Sequence, residues 1–317
     1  MESIKKYKVK PILTVQESDL LAGLMLEEKH CTKLLTSSCD VYDSESGRCL
    51  AKFRKNIIPA KMQLDAFNAL LSAAKESSNR GTAGGVDLGI EGTGGYKVKK
   101  DGTLSKTWRS SNSLRPLRKS GVISKTAEVG IVRSGIVGYF DRNARFPYCR
   151  LTAFNQQHLD RFNKALPIIK FVDSWYAKLM PYEYGLQREL ADHTSQDFVI
   201  KGTAFTTVTV NRNWQTAVHK DSGDYRYGFG NLLALRQGTY TGGWLCLPRW
   251  GIGFDLRNGD LLLMDVHQWH GNTPIVLEDK NAIRLSLVMY YREKMIQCGT
   301  MKQEIERAKR RQKGDKL

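Results

Sequence analysis

The sequence predicts an α+β protein in which a sandwich or jelly roll of short strands is backed by helices. Residues 152–192 carry the 3.6-residue apolar period of long helices, whereas from Lys201 onward the period shortens to two and is broken by glycine turns. Size agrees, because 317 residues with 41% hydrophobic content can fill a substantial core.

Taken in order, Ser18 to Leu35 reads as helical. Residues 40–58, DVYDSESGRCLAKFRKNII, alternate about the turn-forming SESG and read as a β-hairpin. Residues 60–76 place Met62, Phe67, Leu70 and Leu71 at helical spacing, and the helix ends by SSNRGTAGG. Residues 1–80 are therefore expected to form a supporting layer. Residues 81–124 are first glycine-rich and then basic, without an acid after Asp101. They read as a long surface loop able to grip a polyanion, with Tyr96 and Trp108 as stacking or wedge groups. In 152–192, Phe154, Leu159, Phe162 and Leu166 share a face, Pro167 interrupts, and a second stretch runs to Pro181. FTTVTVN, the AVHKD edge, NLLALRQ, GGWLCLP, IGFDL, DLLLMD and IRLSLVMYYR then read as strands, so the core spans 125–298. Residues 299–317 form a charged helix or frayed tail.

Bulk properties narrow the function. An excess of 49 Lys+Arg over 32 Asp+Glu gives a formal charge of +17, which suits a polyanionic partner, nucleic acid first. No uncharged apolar run is long enough to span a membrane, and no apolar segment follows the basic N-terminus as in a signal peptide. The six cysteines are scattered without a CxxC pair, so a disulfide framework or zinc finger is not expected, and a cytoplasmic monomer is.

The chemistry concentrates in three stretches. In TAVHKDSGD, His219 and Asp221 are two apart, so on a strand they present an imidazole and a carboxylate to one side. Alone this is a weak signal. GDLLLMDVHQWHGNTPI supplies His267 and His270 after a buried strand, and one of them completes a two-histidine, one-carboxylate set of the kind that holds non-haem Fe(II). Strand parity turns the two opposite ways, and His267 suits a hydrogen-bonded role. In IRLSLVMYYR, Ile283, Leu285, Leu287 and Met289 share one face, and Arg284, Ser286, Val288, Tyr290 and Arg292 the other. An inward arginine needs an anionic partner, and Arg284 with Ser286 would anchor the distal carboxylate of 2-oxoglutarate.

These three stretches, with weaker echoes in FRKNIIP, NRGTAGG and PYCRLTAF, resemble the TET/JBP family of Fe(II)- and 2-oxoglutarate-dependent DNA base dioxygenases, in its small microbial or viral form. The resemblance implies a double-stranded β-helix core. It also implies His219, Asp221 and His270 as iron ligands, Arg284 and Ser286 on 2-oxoglutarate, dioxygen as co-reactant, and Asp224 against a base flipped out of double-stranded DNA. Arg292 stands where animal members carry a base-contacting histidine. Because an ionised carboxylate only accepts hydrogen bonds, Asp224 suits the N4 amine of cytosine. The expected reaction is therefore hydroxylation of 5-methylcytosine to 5-hydroxymethylcytosine or beyond. The alternatives are thymine hydroxylation on DNA, hydroxylation of a free nucleotide, and a non-catalytic DNA-binding module with a vestigial jelly roll.

Overall fold

The computed structural model describes residues 4–77, 80–85, 96–98, 100–101, 103–108 and 132–312. The N-terminal part contributes β1 (Lys5–Val9), α1 (Val15–Leu20), β2 (Lys33–Leu35), β3 (Cys39–Asp43), β4 (Cys49–Arg54), α2 (Ala60–Leu70) and β5 (Glu76–Ser77). The expected helix over Ser18 to Leu35 is replaced by the short α1. Thr14 and Glu17 form a reciprocal cap that starts the helix earlier than the apolar pattern indicates. The chain must then extend, because Gly23, at φ +82°, and Leu24 hydrogen-bond to the backbone of Val218. The hairpin over 40–58 forms as β3 and β4, with Gly47 at φ +72° in its turn.

Two short strands, β6 (Tyr96–Val98) and β7 (Leu104–Trp108), pair with each other. The rest of the expected basic loop, with the stacking role given to Tyr96 and Trp108, lies outside the described residues. Next come β8 (Val132–Phe140), β9 (Arg150–Leu151), α3 (Ala153–Gln157), α4 (Leu159–Leu179) and α5 (Pro181–His193). Pro167, expected to interrupt, sits inside a continuous α4, and Leu159, expected on the buried face, is 53% exposed. Proline costs an interior helix about 3 kcal/mol. The residues after it, Ile168, Ile169, Val172 and Tyr176, lie on one face and are all buried. At about 1.5–3 kcal/mol each, that burial outweighs the local defect.

The C-terminal part holds β10 (Thr207–Arg212), β11 (Gly230–Gln237), β12 (Tyr240–Gly242), β13 (Leu245–Leu247), β14 (Ile252–Phe254), β15 (Leu261–Met264), β16 (Gly271–Asn272), β17 (Ile275–Leu277), β18 (Ile283–Tyr290) and α6 (Met301–Gln312). Among the described residues the larger sheet runs β1-β3-β4-β15-β11-β18-β10-β8-β5, with β9 alongside β8, and the smaller runs β16-β13-β14-β2. The expected hairpin, β3 and β4, joins the larger sheet. Between the sheets, Phe53, Leu232, Leu262 and Met264 pack against Leu245, Leu247, Ile252 and Phe254. On the other face, Leu233, Leu263, Leu285, Leu287 and Met289 pack on Phe67 and Leu70 of α2 and on α4. Residues 232 and 233, like 262 and 263, go to opposite layers, which is the period-two rule at work.

Cysteine usage departs from expectation. Cys31 is bonded to Cys246 and Cys149 to Cys298, while Cys39 and Cys49 are thiols. The partners are 215 and 149 residues apart, so only tertiary packing brings them together. No helix among the described residues is long and apolar enough to cross a membrane.

Candidate active site

The first histidine and the third ligand are placed by one backbone exchange. His219 N–H donates to His270 O at 2.8 Å and His270 N–H to His219 O at 2.9 Å, which fixes the two rings 4.3 Å apart. Two contacts lock this bridge. The Asn272 side-chain oxygen accepts from the backbone and hydroxyl of Thr216, and Asp221 N–H donates to Val266 O. The turn that delivers His270 is capped by buried Asp265, which accepts from His267 N–H and Gln268 Nε2 and pairs with Arg48 at 2.9 Å.

Within this frame one ligating atom from each of His219, Asp221 and His270 lies within 4.8 Å of the others. The Asp221 carboxylate is 3.3 Å from His219 Nε2 and 3.9 Å from His270 Nε2. Each histidine directs Nδ1 at a backbone carbonyl, Ala217 O at 2.8 Å and Gln268 O at 2.9 Å. That arrangement gives Nδ1 of each ring its own acceptor and makes Nε2 the atom each ring turns toward a metal. Electrostatics agree. Burial and the neighbouring His219 push His270 down to about 4, so it is neutral. Burial would raise Asp221, but the hydrogen bond from His219 holds it low and ionised. Burial would lower His219, and Asp221 more than offsets that. Two neutral-capable imidazoles and one carboxylate make a donor set that fits Fe(II). His267 stays outside the cluster, its Nε2 at 3.1 Å from Tyr225 O.

A cavity of about 380 Å³ opens beside these atoms, within the range of ligand clefts. Arg284, Ser286, Val288, Tyr290 and Arg292 all line it, as the alternation of β18 requires. Arg284 is 5% exposed. Its backbone N–H donates to the Asn213 side chain at 2.6 Å, and its guanidinium makes one long contact to Gly243 O at 3.4 Å and lies over the Tyr240 ring. Its Nε is buried without a hydrogen-bond partner. A buried guanidinium left this open calls for an anion, and a dicarboxylate fits.

Asp224 and Arg292 meet through a β-bridge at the same cavity. Burial and the nearby Asp221 push the Asp224 carboxyl well above the usual carboxylate range, with Arg292 pulling it back. Burial alone would weaken Arg292 as a cation, but Tyr290, Asp141 and Asp224 hold it charged.

Several cavity residues escape sequence reasoning. Arg80, whose buried Nε also lacks a partner, stands at the turn Gly81–Gly84, which is tied to the metal strand where Ala217 N–H donates to Ala83 O. Trp214 presents a buried indole N–H without a partner, and the Ser134 hydroxyl bonds Asn211 Oδ1 at 2.5 Å. Arg80 lies in NRGTAGG, which the sequence reads as a helix stop and as a weaker echo of the family, with no role for Arg80 itself.

The fold and these side chains define a site of the 2-oxoglutarate and Fe(II) oxygenase type. Residues 135–293, half of the chain, match the Tet_JBP family, the oxygenase domain of the 2OGFeDO superfamily, and the chain belongs to that family. Fe(II) and 2-oxoglutarate are accordingly its cofactor and cosubstrate. The chain is 38% identical over 161 residues to the bifunctional helicase and thymine dioxygenase JBP2 of Leishmania major, covering 50% of this chain and 14% of that protein. It is 38% identical over 165 residues to the thymine dioxygenase JBP1 of Trypanosoma brucei brucei, covering 50% of this chain and 19% of that one. The chain therefore matches less than a fifth of the length of either relative. The solved structure of NgTET1 in complex with 5mC DNA superimposes with a TM-score of 0.53 over 87% of both chains at 13% identity, in agreement with the double-stranded β-helix fold expected from the motifs.

Proposed function

We propose that the protein hydroxylates the 5-methyl group of a pyrimidine base in DNA. The observation that carries this reading is the convergence, on one cavity, of the His219–Asp221–His270 set with an anion-seeking Arg284. In this reading the triad holds Fe(II), and Arg284 with Ser286 holds one carboxylate of 2-oxoglutarate. Bound iron and 2-oxoglutarate supply the oxidant: dioxygen is split between succinate and the hydroxylated methyl carbon, with loss of carbon dioxide. The protein's own residues position the reactants. Nδ1 of each histidine is held by a carbonyl, and Arg284 fixes the cosubstrate's orientation. A methyl carbon reaches such a cavity only if its nucleotide leaves the helix, and the +17 charge favours the phosphate contacts that offset the cost.

Two bases are supported by different observations. Thymine is supported by the named activity of the relatives and by the burial that favours a neutral Asp224, which donates to thymine O4. The 5-methylcytosine reading is supported by Arg292, which favours an ionised Asp224 able to accept from N4. Mass spectrometry of nucleosides from thymine-containing and methylated duplexes, after incubation with protein, Fe(II) and 2-oxoglutarate in air, separates them. Hydroxymethyluracil or hydroxymethylcytosine is expected with wild type and neither with Asp221→Ala. Absence of both in the wild type, or their persistence in Asp221→Ala, refutes the proposal. Asp224→Asn can always donate, so it is expected to move the product ratio toward hydroxymethyluracil.

A further inference from the structure

We infer that Asp141 is a positioning residue that holds the Arg292 guanidinium away from Asp224, so that the two remain separate donor and acceptor for the edge of a base. The inference rests on the reading of this cavity as a base site. The β-bridge sets the backbones of Asp224 and Arg292 side by side, and both side chains line the cavity. A carboxyl group and a guanidinium so placed would ordinarily close into a direct contact. They do not. Arg292 Nε donates to Asp141 Oδ1 at 2.8 Å, and Asp224 Oδ2 is a buried atom with no hydrogen-bond partner among the described residues. An orphaned buried carboxyl oxygen beside an arginine occupied elsewhere is an acceptor kept open.

Asp141 is placed to resist following Arg292. It is 5% exposed and directly follows β8, and its carbonyl accepts from Arg150 Nη1 at 3.4 Å. The next residue, Arg142, pairs with buried Glu304 of α6, which also accepts from the N–H groups of Cys149 and Gly299. Arg292 is held from its own side as well, its backbone N–H donating to the Thr206 hydroxyl at 3.0 Å. The far end of its guanidinium lies over Gly223, where φ is +95° and an added Cβ would stand 3.8 Å from Nη2. The guanidinium is therefore fixed at its Nε edge with its other nitrogens over the loop that carries Asp224.

The test compares full-length wild type with Asp141→Asn, Asp141→Glu, Arg292→Gln and the double variant Asp141→Asn/Arg292→Gln. Two readouts are needed: binding of the metal-free protein to duplexes carrying either a target pyrimidine or an abasic site at one position, and KM for DNA and for 2-oxoglutarate. Wild type is expected to prefer the pyrimidine duplex. Asp141→Asn should lose that preference and raise the DNA KM on the order of tenfold, as Arg292 turns onto Asp224, with the 2-oxoglutarate KM unchanged. Asp141→Glu should restore most of it, and the double variant should be no worse than Arg292→Gln. The inference is overturned if Asp141→Asn keeps the wild-type preference, if both KM values rise together, if Asp141→Glu is no better than Asp141→Asn, or if the two substitutions add. If wild type itself does not distinguish pyrimidine from abasic duplex, the base-site reading fails and the inference with it.

Discussion

The two ends of the cavity are built by different means. At the end holding His219, Asp221, His270 and Arg284, the His219–His270 backbone bridge sets the two imidazoles and β18 of the larger sheet carries Arg284. The end holding Asp224 and Arg292 has a backbone bridge too, but its Arg292 side chain is aimed by Asp141, whose neighbour Arg142 ties it through Glu304 to the C-terminal helix. The first is set chiefly by backbone hydrogen bonds. The second is a chain of charges from distant segments, so its geometry can be lost one link at a time. Chemistry common to a superfamily suits the first kind of construction, and recognition of a particular substrate suits the second.

The sharpest way to break the comparison is Arg284→Ala. The guanidinium is buried with one weak carbonyl contact, and in the proposed function its partner is 2-oxoglutarate. Its removal would leave the carboxylate of 2-oxoglutarate without its guanidinium partner, and the 2-oxoglutarate KM should rise about a hundredfold. Affinity of the metal-free protein for duplex DNA should stay at the wild-type level, since Arg284 belongs to the other end. Arg284→Lys keeps the charge but not the planar fork, and should recover part of the loss. An unchanged 2-oxoglutarate KM in Arg284→Ala would show that the anion site lies elsewhere, with Arg80 as the next guanidinium to test.

The same difference explains what is legible in the sequence. A two-residue period gives the inward face of β18 directly, so alternation alone assigns Arg284, Ser286 and Arg292 to the cavity side of the strand, where all three lie. His219 with Asp221 follows from the same rule, and DLLLMD gives the strand that leads to His270. Asp141 is invisible because it lies 151 residues from Arg292 and no periodic pattern surrounds it. Arg80 is hidden because it belongs to an irregular turn, and the disulfides because their partners meet only through packing. The ionisation of Asp224 escapes the sequence for a physical reason: an acid expected as an ordinary carboxylate is in fact buried beside a second acid. The interruption expected at Pro167 does not occur because the burial that follows it outweighs the local defect.

A smaller effect sharpens the contrast from within the cosubstrate end. Gly243 lies at φ +67°, and a Cβ there would come within 3.1 Å of Ile275 Cγ1 and 3.3 Å of Arg284 Nε. Gly243→Ala thus adds left-handed strain of about 1–2 kcal/mol and presses on the arginine itself. The 2-oxoglutarate KM should rise severalfold with the DNA KM unmoved, and melting should fall by a few degrees. Equal changes in both KM values would mean that the two ends are mechanically one.

The smallest expected effect lies at the far link of the charge chain. Burial by itself would raise the Glu304 carboxyl, but the Arg142 guanidinium and the N–H groups of Gly299 and Cys149 hold it below its ordinary 4.5. A carboxyl whose pKa is lowered by folding contributes stability that is present above its unfolded value and is lost as pH falls through the folded one. The attachment of α6 should therefore weaken as pH drops below about 4.5, and Glu304→Gln should flatten the acid side of the melting-temperature profile while changing neutral melting less. Because Arg142 adjoins Asp141, the same substitution should raise the DNA KM slightly and leave that for 2-oxoglutarate alone. An acid slope identical to wild type would mean that α6 is held by Cys149–Cys298 without help from the ion pair, and the base end would then be tied down covalently where the cosubstrate end is tied by its sheet.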